Sequence, residues 1–214
     1  MSDTGQSGAG RREVAYRVLA AEYEAANYSY SAGDEERAPN YVVTPTGARI
    51  NRLFLVGVLT ETEEVSEGVL RARISDPTDT FVLYAGQYQP DEQAMLEATE
   101  PPAFLAVTGK ARTFQPDDTD QVFTSVRPES INKVDAETRD RWTVQAAEQT
   151  LGRIGHLATA LSVGAAGPEL RAALADHGID SGLADGIARA LEQYNTSTAY
   201  LDALRKTAVD AAGV

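Results

Sequence analysis

Between Val69 and Ser75 apolar and polar positions alternate strictly, so Leu70, Ala72 and Ile74 turn to one side while Arg71 and Arg73 turn to the other. That period of two is the mark of a half-buried strand. Similar runs of β-branched and aromatic residues occur at Tyr41–Thr44, Arg52–Glu61, Thr80–Tyr84, Phe104–Ala111 and Val122–Arg127, and they predict an all-β segment. One helix interrupts it: Pro90 opens the stretch through Glu97, and Pro101-Pro102 closes it. Three strands, a helix and two further strands are the layout of a five-stranded OB-fold β-barrel.

The flanks have a different period. Val14, Val18 and Leu19 fall on one face of a short amphipathic helix over Arg12–Ala26, followed by a polar linker, Ser31–Pro39. Beyond Asp135, which is placed to cap a long helix, Val144, Ala147, Leu151, Ile154, Ala158 and Leu161 recur at spacings of three and four. Gly164–Pro168 breaks that helix, and three shorter ones follow over Pro168–Asp176, Ser181–Tyr194 and Ser197–Ala212. The expected fold class is α+β, divided into three parts. Residues 1–39 hold a disordered start, the short N-terminal helix and the linker; residues 40–134 form the barrel; residues 135–214 form a C-terminal all-helical module.

Charge changes this picture in one respect. The 214 residues carry 32 Asp+Glu against 19 Lys+Arg, a formal net charge of −13, and only Lys110, Lys133 and Lys206 are lysines. An acidic chain ordinarily argues against nucleic acid as a partner. Arginine in place of lysine, with abundant alanine, however resembles the composition of proteins from salt-in halophiles, where carboxylates keep the surface hydrated, so the position of each cation matters more than the sum. Within the barrel most carboxylates fall in connections or on the helix (Glu63, Glu64, Glu67, Asp91, Glu92, Asp117, Asp118, Asp120), whereas cations fall on or beside strands. Arg71 and Arg73 share an outer face, Lys110 and Arg112 close the fourth barrel strand, Arg49 and Arg52 lead into the first, and Phe123, Ser125 and Arg127 share the outer face of the last. Outward rings among cations suit single-stranded nucleic acid, because any base stacks on a ring while the backbone follows the charge. The same arginines also fit edge protection and surface ion pairing, and Phe81, Tyr84 and Phe104 are expected in the core.

Several blocks resemble haloarchaeal replication protein A-associated proteins: Ala38–Thr60, Arg73–Thr78, Tyr84–Tyr88, Val107–Phe114 and Ser125–Ile131. The resemblance spans about residues 12–160. It implies a non-catalytic OB-fold subunit that binds single-stranded DNA together with a replication protein A-like partner, as a hetero-oligomer in replication and repair. On that reading the nucleic-acid-binding residues are Arg71, Arg73, Lys110, Arg112 and Arg127, with Phe123 as stacking platform. The helix after the barrel resembles the one through which such subunits associate, and its three-four seam of Val144, Leu151, Ile154 and Leu161, with Trp142 near its start, is the expected partner contact. The alternative is a pure interaction adaptor that docks the DNA-binding subunit without touching the strand, and RNA would fit the same face.

Other chemistry finds little support. Without cysteine there is no disulfide, thiolate zinc site or cysteine nucleophile. His177 stands among ordinary helix-end residues, His156 lies on an alanine-rich helix, and Asp117, Asp118 and Asp120 lack the glycine and terminal glutamate of a calcium loop. No phosphate loop or dinucleotide fingerprint occurs. The expectation is no enzyme, no metal and no cofactor. With neither a signal peptide nor a membrane span, the protein is expected in the cytoplasm, associated with the nucleoid.

Overall fold

The strand alternation closes on itself. The computed structural model describes residues 14–34 and 38–213. In chain order, α1 (Ala20–Glu24) precedes a small antiparallel sheet of β1 (Tyr28–Ser31), β2 (Asn40–Val43) and β3 (Arg49–Ile50). Then come β4 (Arg52–Ser66), β5 (Val69–Ser75), β6 (Thr80–Ala85), α2 (Pro90–Glu97), β7 (Ala103–Phe114) and β8 (Phe123–Lys133). The five later strands form a closed barrel in the order β4-β5-β6-β8-β7, and α2 connects its third and fourth strands. Every pairing is antiparallel except the closure, where β6 and β8 meet in parallel at Leu83 and Val126. This Greek-key topology is the OB-fold. Leu53, Leu55, Leu59, Ile74, Phe81, Leu83 and Leu105 fill the interior with essentially no solvent contact. Each large apolar side chain so buried contributes about 1.5–3 kcal/mol.

The segment before the barrel departs from the expected helix over Arg12–Ala26. Residues 12 and 13 lie outside the described residues; Val14 is exposed, and Tyr16 bridges the barrel edge in extended conformation. Its N–H donates to the Arg52 carbonyl at 2.9 Å, and its carbonyl accepts from Phe54 at 2.9 Å. Pairing with a barrel strand satisfies backbone groups that a marginal helix end leaves to water, so tertiary contact overrides helical spacing. Only Ala20–Glu24 is helical, and the β5–β6 turn caps it: Asp76 accepts from the Ala20 N–H and Thr78 from the Ala21 N–H. Tyr23 then enters the barrel, donating its hydroxyl to the Ser125 carbonyl at 2.7 Å.

The linker is also shorter than expected, because Ser31 belongs to β1, which pairs with β2 from Tyr28↔Val43 to Ser31↔Asn40. The Tyr41–Thr44 run is therefore not a barrel strand. Its Val43 packs in the helical core with Leu157, Leu170 and Ile187.

After β8, Asp135 caps α3 (Ala136–Val163) by accepting from the Thr138 N–H at 2.8 Å, and Gly164 ends it in the left-handed conformation. The chain continues through α4 (Gly167–Asp176), α5 (Ser181–Tyr194) and α6 (Thr198–Ala212). The N-terminal half of α3 belongs to the barrel core through Trp142, Ala146 and Ala147, and its C-terminal half to the helical core through Ile154, Leu157 and Ala160. The turn between β2 and β3 rests directly on α5. A Cβ on Gly186 would lie 1.9 Å from the Gly47 carbonyl oxygen, and Gly47 itself has φ +92°, so both positions require glycine. No described helix is long and apolar enough to cross a membrane.

Candidate nucleic-acid interface

Strand register assembles an aromatic and cationic surface on the outside of β7 and β8. Lys110, Arg112 and Phe114 are two residues apart on β7 and stand opposite Arg127, Ser125 and Phe123 on β8. Phe114 and Phe123 stack with centroids 5.5 Å apart and planes 26° from parallel, and Tyr84 of β6 meets Phe114 edge-on at 6.3 Å. Phe114 is 44% exposed, a large ring area to leave in water. Beside these rings, where β6 and β8 splay apart, lies a shallow groove of about 290 Å³ lined by Val69, Tyr84, Gln89, Arg112 and Arg127.

The two arginines of this groove form no direct ion pair among the described residues, although the Glu129 carboxylate, held by Arg52, acts on both electrostatically. Arg112 donates to the Ala111 carbonyl at 2.9 Å. Among the described residues neither it nor exposed Arg127 has a carboxylate within ion-pair distance. Partial burial and the neighbouring positive charge of Arg127 hold the Arg112 pKa below its ordinary value. Two like charges side by side in half-dry surroundings favour an anion between them. The register extends the track, since Lys110 faces Arg127 on one side and Arg52 of β4 on the other. Arg52 holds Glu129 at 2.5 and 3.0 Å. Hydrogen bonding to Arg52 keeps the Glu129 carboxyl below the usual carboxylate range. Lys110 donates to Asn51 Oδ1 at 3.1 Å.

Arg71 and Arg73 point outward from β5, but each is paired to a carboxylate across the hairpin. Arg71 binds Glu63, and Arg73 binds Glu61 at 3.1 Å. These are their direct register partners on β4. Arg71 also stands opposite Tyr84 and so borders the rings, whereas Arg73, opposite Val82, lies further along the strand. The structure thus brings Lys110, Arg112, Phe123 and Arg127 together, places Arg71 at their edge and leaves Arg73 apart. Phe81 is core as expected. Tyr84 instead joins the outer rings, a placement legible in Thr80–Ala85, where Phe81, Leu83 and Ala85 alternate inward. Phe104 is half-buried beneath the Arg139 guanidinium, 5.1 Å from its ring centre. Phe114, beyond the expected strand Phe104–Ala111, is the last residue of β7. Among the described residues no group of three or more His, Asp or Glu side chains could hold a metal ion.

The α3 residues expected to face a partner are largely consumed within the chain. Trp142 is 2% exposed and donates its indole N–H to the Phe54 carbonyl at 3.0 Å, so it is a core residue and not a surface anchor. Ile154 is buried, and Leu151 is half-buried against both cores. The seam packs on α6 and α4 because the module folds back on its own long helix. Val144 and Leu161 remain exposed.

Two polar clusters escaped the sequence reading. Glu22 is fully buried and accepts from Arg153 at 2.6 and 3.1 Å, from Thr150 at 3.0 Å, from Thr44 at 3.1 Å and from Thr46. Burial acts to raise its pKa, but the Arg153 charge and these hydrogen bonds hold it below the ordinary value. Asp185 collects Arg49, Arg171 and Arg189 at 3.3, 2.8 and 2.9 Å, and Arg189 also lies over the Tyr30 ring at 3.8 Å. Apart from the i,i+4 pair Asp185–Arg189, these partners come from separate elements and leave no local signal.

No family model and no curated protein matches this sequence. Solved structures do resemble it in fold. One is the Stn1-Ten1 complex of S. pombe, at 11% identity over 61% of this chain and 86% of that one, with a TM-score of 0.48. Another is a replication protein A heterotrimer bound to ssDNA, at 13% identity over 66% and 98% with a TM-score of 0.47. A third is the mitochondrial single-stranded DNA binding protein Rim1 of S. cerevisiae, at 22% identity over 40% and 94% with a TM-score of 0.32.

Proposed function

We propose that this chain is a non-catalytic OB-fold subunit that binds single-stranded DNA through the outer face of β6, β7 and β8. The observation that carries the reading is the juxtaposition of two guanidiniums without a direct ion pair, Arg112 and Arg127, with the Tyr84–Phe114–Phe123 ring cluster. Bases stack on the rings, phosphates meet the arginines, and neither contact depends on base identity. The paired state of Arg71 and Arg73 gives these residues a lesser part, and stacking a correspondingly larger one.

The resemblance to replication protein A-associated proteins supports the finer statement: the subunit acts with a replication protein A-like partner, in a hetero-oligomer serving replication and repair. Exposed Val144 and Leu161 on α3 are the residues of the original seam still open to that partner. The test is fluorescence anisotropy of a labelled oligonucleotide with the intact chain. Arg112→Glu with Arg127→Glu should weaken binding about 10- to 100-fold, whereas Arg73→Glu should change it less than about threefold. Equal affinity of the double variant and the parent would overturn the site. A parent chain that binds no strand, while its complex with the partner does so unaffected by the double variant, would establish the adaptor reading instead.

A further inference from the structure

A second cavity lies off the end of the cationic track. It encloses about 310 Å³ between the segment before α1, β3, α3 and the start of α5, and Arg17, Tyr41, Arg49, Asn51 and Gln149 are among its walls. That volume is at the small end of ligand-site sizes. Arg17 lies against the Phe54 ring, 5.1 Å from its centre, and its buried Nε has no hydrogen-bond partner. No carboxylate of the described residues is within ion-pair distance of Arg17. Arg49 lies over Tyr41 at 4.5 Å and shares the single carboxylate of Asp185 with Arg171 and Arg189. The acidic group lining the cavity, Asp180, is already engaged as the N-cap of α5, accepting from Gly182 and Leu183 at 2.9 and 3.3 Å. The cavity therefore has an excess of guanidinium charge and two side-chain amides able to read polar edges.

The cavity is also joined to the barrel face. Asn51 in its wall accepts from Lys110 Nζ at 3.1 Å, and Lys110 stands directly across β7–β8 from Arg127. We infer that the bound strand leaves the barrel past Lys110 and places one further nucleotide in this cavity, its phosphate on Arg17 and Arg49 and its polar edges on Asn51 and Gln149. The inference rests on the proposed barrel site, and it gives the helical module, which supplies Gln149 and the start of α5, a direct part in strand binding.

Two labelled oligothymidylates, of about 6 and about 16 nucleotides, separate the two sites, since a single OB-fold covers about 4–16 nucleotides. The full chain should bind the longer one more tightly than its extra length alone accounts for. Gln149→Glu, at an exposed helical position, should fold as the parent does, remove about tenfold of affinity for the long strand and leave the short strand within about twofold. Arg17→Gln should do the same. Loss on both strands alike, or on neither, overturns the cavity site while leaving the barrel site standing. Failure of the parent chain to bind either length overturns both, and is distinguished by the absence of any signal to partition.

Discussion

Arg153→Met should separate barrel and helices energetically, because it strands Glu22 as a lone buried carboxylate. Glu22 has no solvent exposure and the Arg153 side chain only 6%. Two hydrogen bonds of 2.6 and 3.1 Å join them. Removing one partner of such a pair costs about 3–5 kcal/mol, most of it the penalty of the charge left behind. In a chain of this size each kcal/mol moves Tm by about 2–4 °C, so the variant should melt roughly 6–20 °C lower. Glu22→Gln combined with Arg153→Met removes both charges and should recover much of the loss. The pH dependence gives an independent sign. In the parent the Glu22 carboxyl is held below its unfolded value, so its stabilisation is present above about pH 4.3 and disappears as pH falls through the lower folded pKa. In Arg153→Met burial acts without the guanidinium, the folded pKa rises above the unfolded one, and the variant should gain stability relative to the parent as the pH falls toward 4. Urea titrations between about pH 4 and 8 measure both. A loss under about 1 kcal/mol with an unchanged pH profile would refute the argument, for that is what a solvated surface pair would give.

Three further changes probe the remaining contacts. Gly186→Ala puts a methyl group 1.9 Å from the Gly47 carbonyl oxygen, and should destabilise the chain by about 1–3 kcal/mol in chemical denaturation as the β2–β3 turn is pushed off α5. Glu61→Gln with Glu63→Gln releases Arg73 and Arg71; strand affinity should rise, and the slope of log affinity against log salt should steepen by about 0.7 as Arg71, at the edge of the rings, meets one further phosphate, read from anisotropy across a salt series. Phe123→Ala removes one face of the ring stack and should lower affinity about 5- to 100-fold with little change in the salt slope, since a stacked base releases no counterion.

Where backbone period and side-chain polarity agree, the chain was legible. Val69–Ser75 and Pro90–Glu97 begin and end where the pattern predicts, and Asp135, Gly164 and Ser197 delimit helices as caps. β4 and β8 run further than expected, to Ser66 and Lys133, because Glu61–Ser66 and Ser130–Lys133 are mostly polar, with Val65 and Ile131 their only apolar side chains, and are held by pairing with β5 and β7. The segment ahead of α1 misled for the opposite reason. Val14, Val18 and Leu19 have helical spacing, yet an unpaired barrel edge offers Tyr16 better hydrogen bonds than a helix end does. The α3 spacing marked only part of the buried seam: Ala147, Leu151 and Ile154 lie on it, whereas Val144, Ala158 and Leu161 are exposed and Ala146, Thr150, Arg153, Leu157 and Ala160 complete it; nor does spacing say whose surface fills the seam, and here α4 and α6 do.

The candidate site shows the same division. Alternation put Arg71, Arg73, Phe123 and Arg127 on the outside, and alternation within one strand is local. Which of them remains available to an anion is decided across strands. Register sets Glu61 and Glu63 beside Arg73 and Arg71, while it sets Arg127 beside Lys110 and leaves Arg112 next to Ser125. A net charge of −13 is therefore compatible with a cationic groove, because the one carboxylate of the β7–β8 ribbon that acts on Arg112 and Arg127, Glu129, is hydrogen-bonded to Arg52 and forms no ion pair with either. The proposed phosphate site accordingly depends on the pairing of two strands, and a one-residue slip of β8 against β7 would turn Arg127 and Phe123 inward and abolish it without altering a single charge.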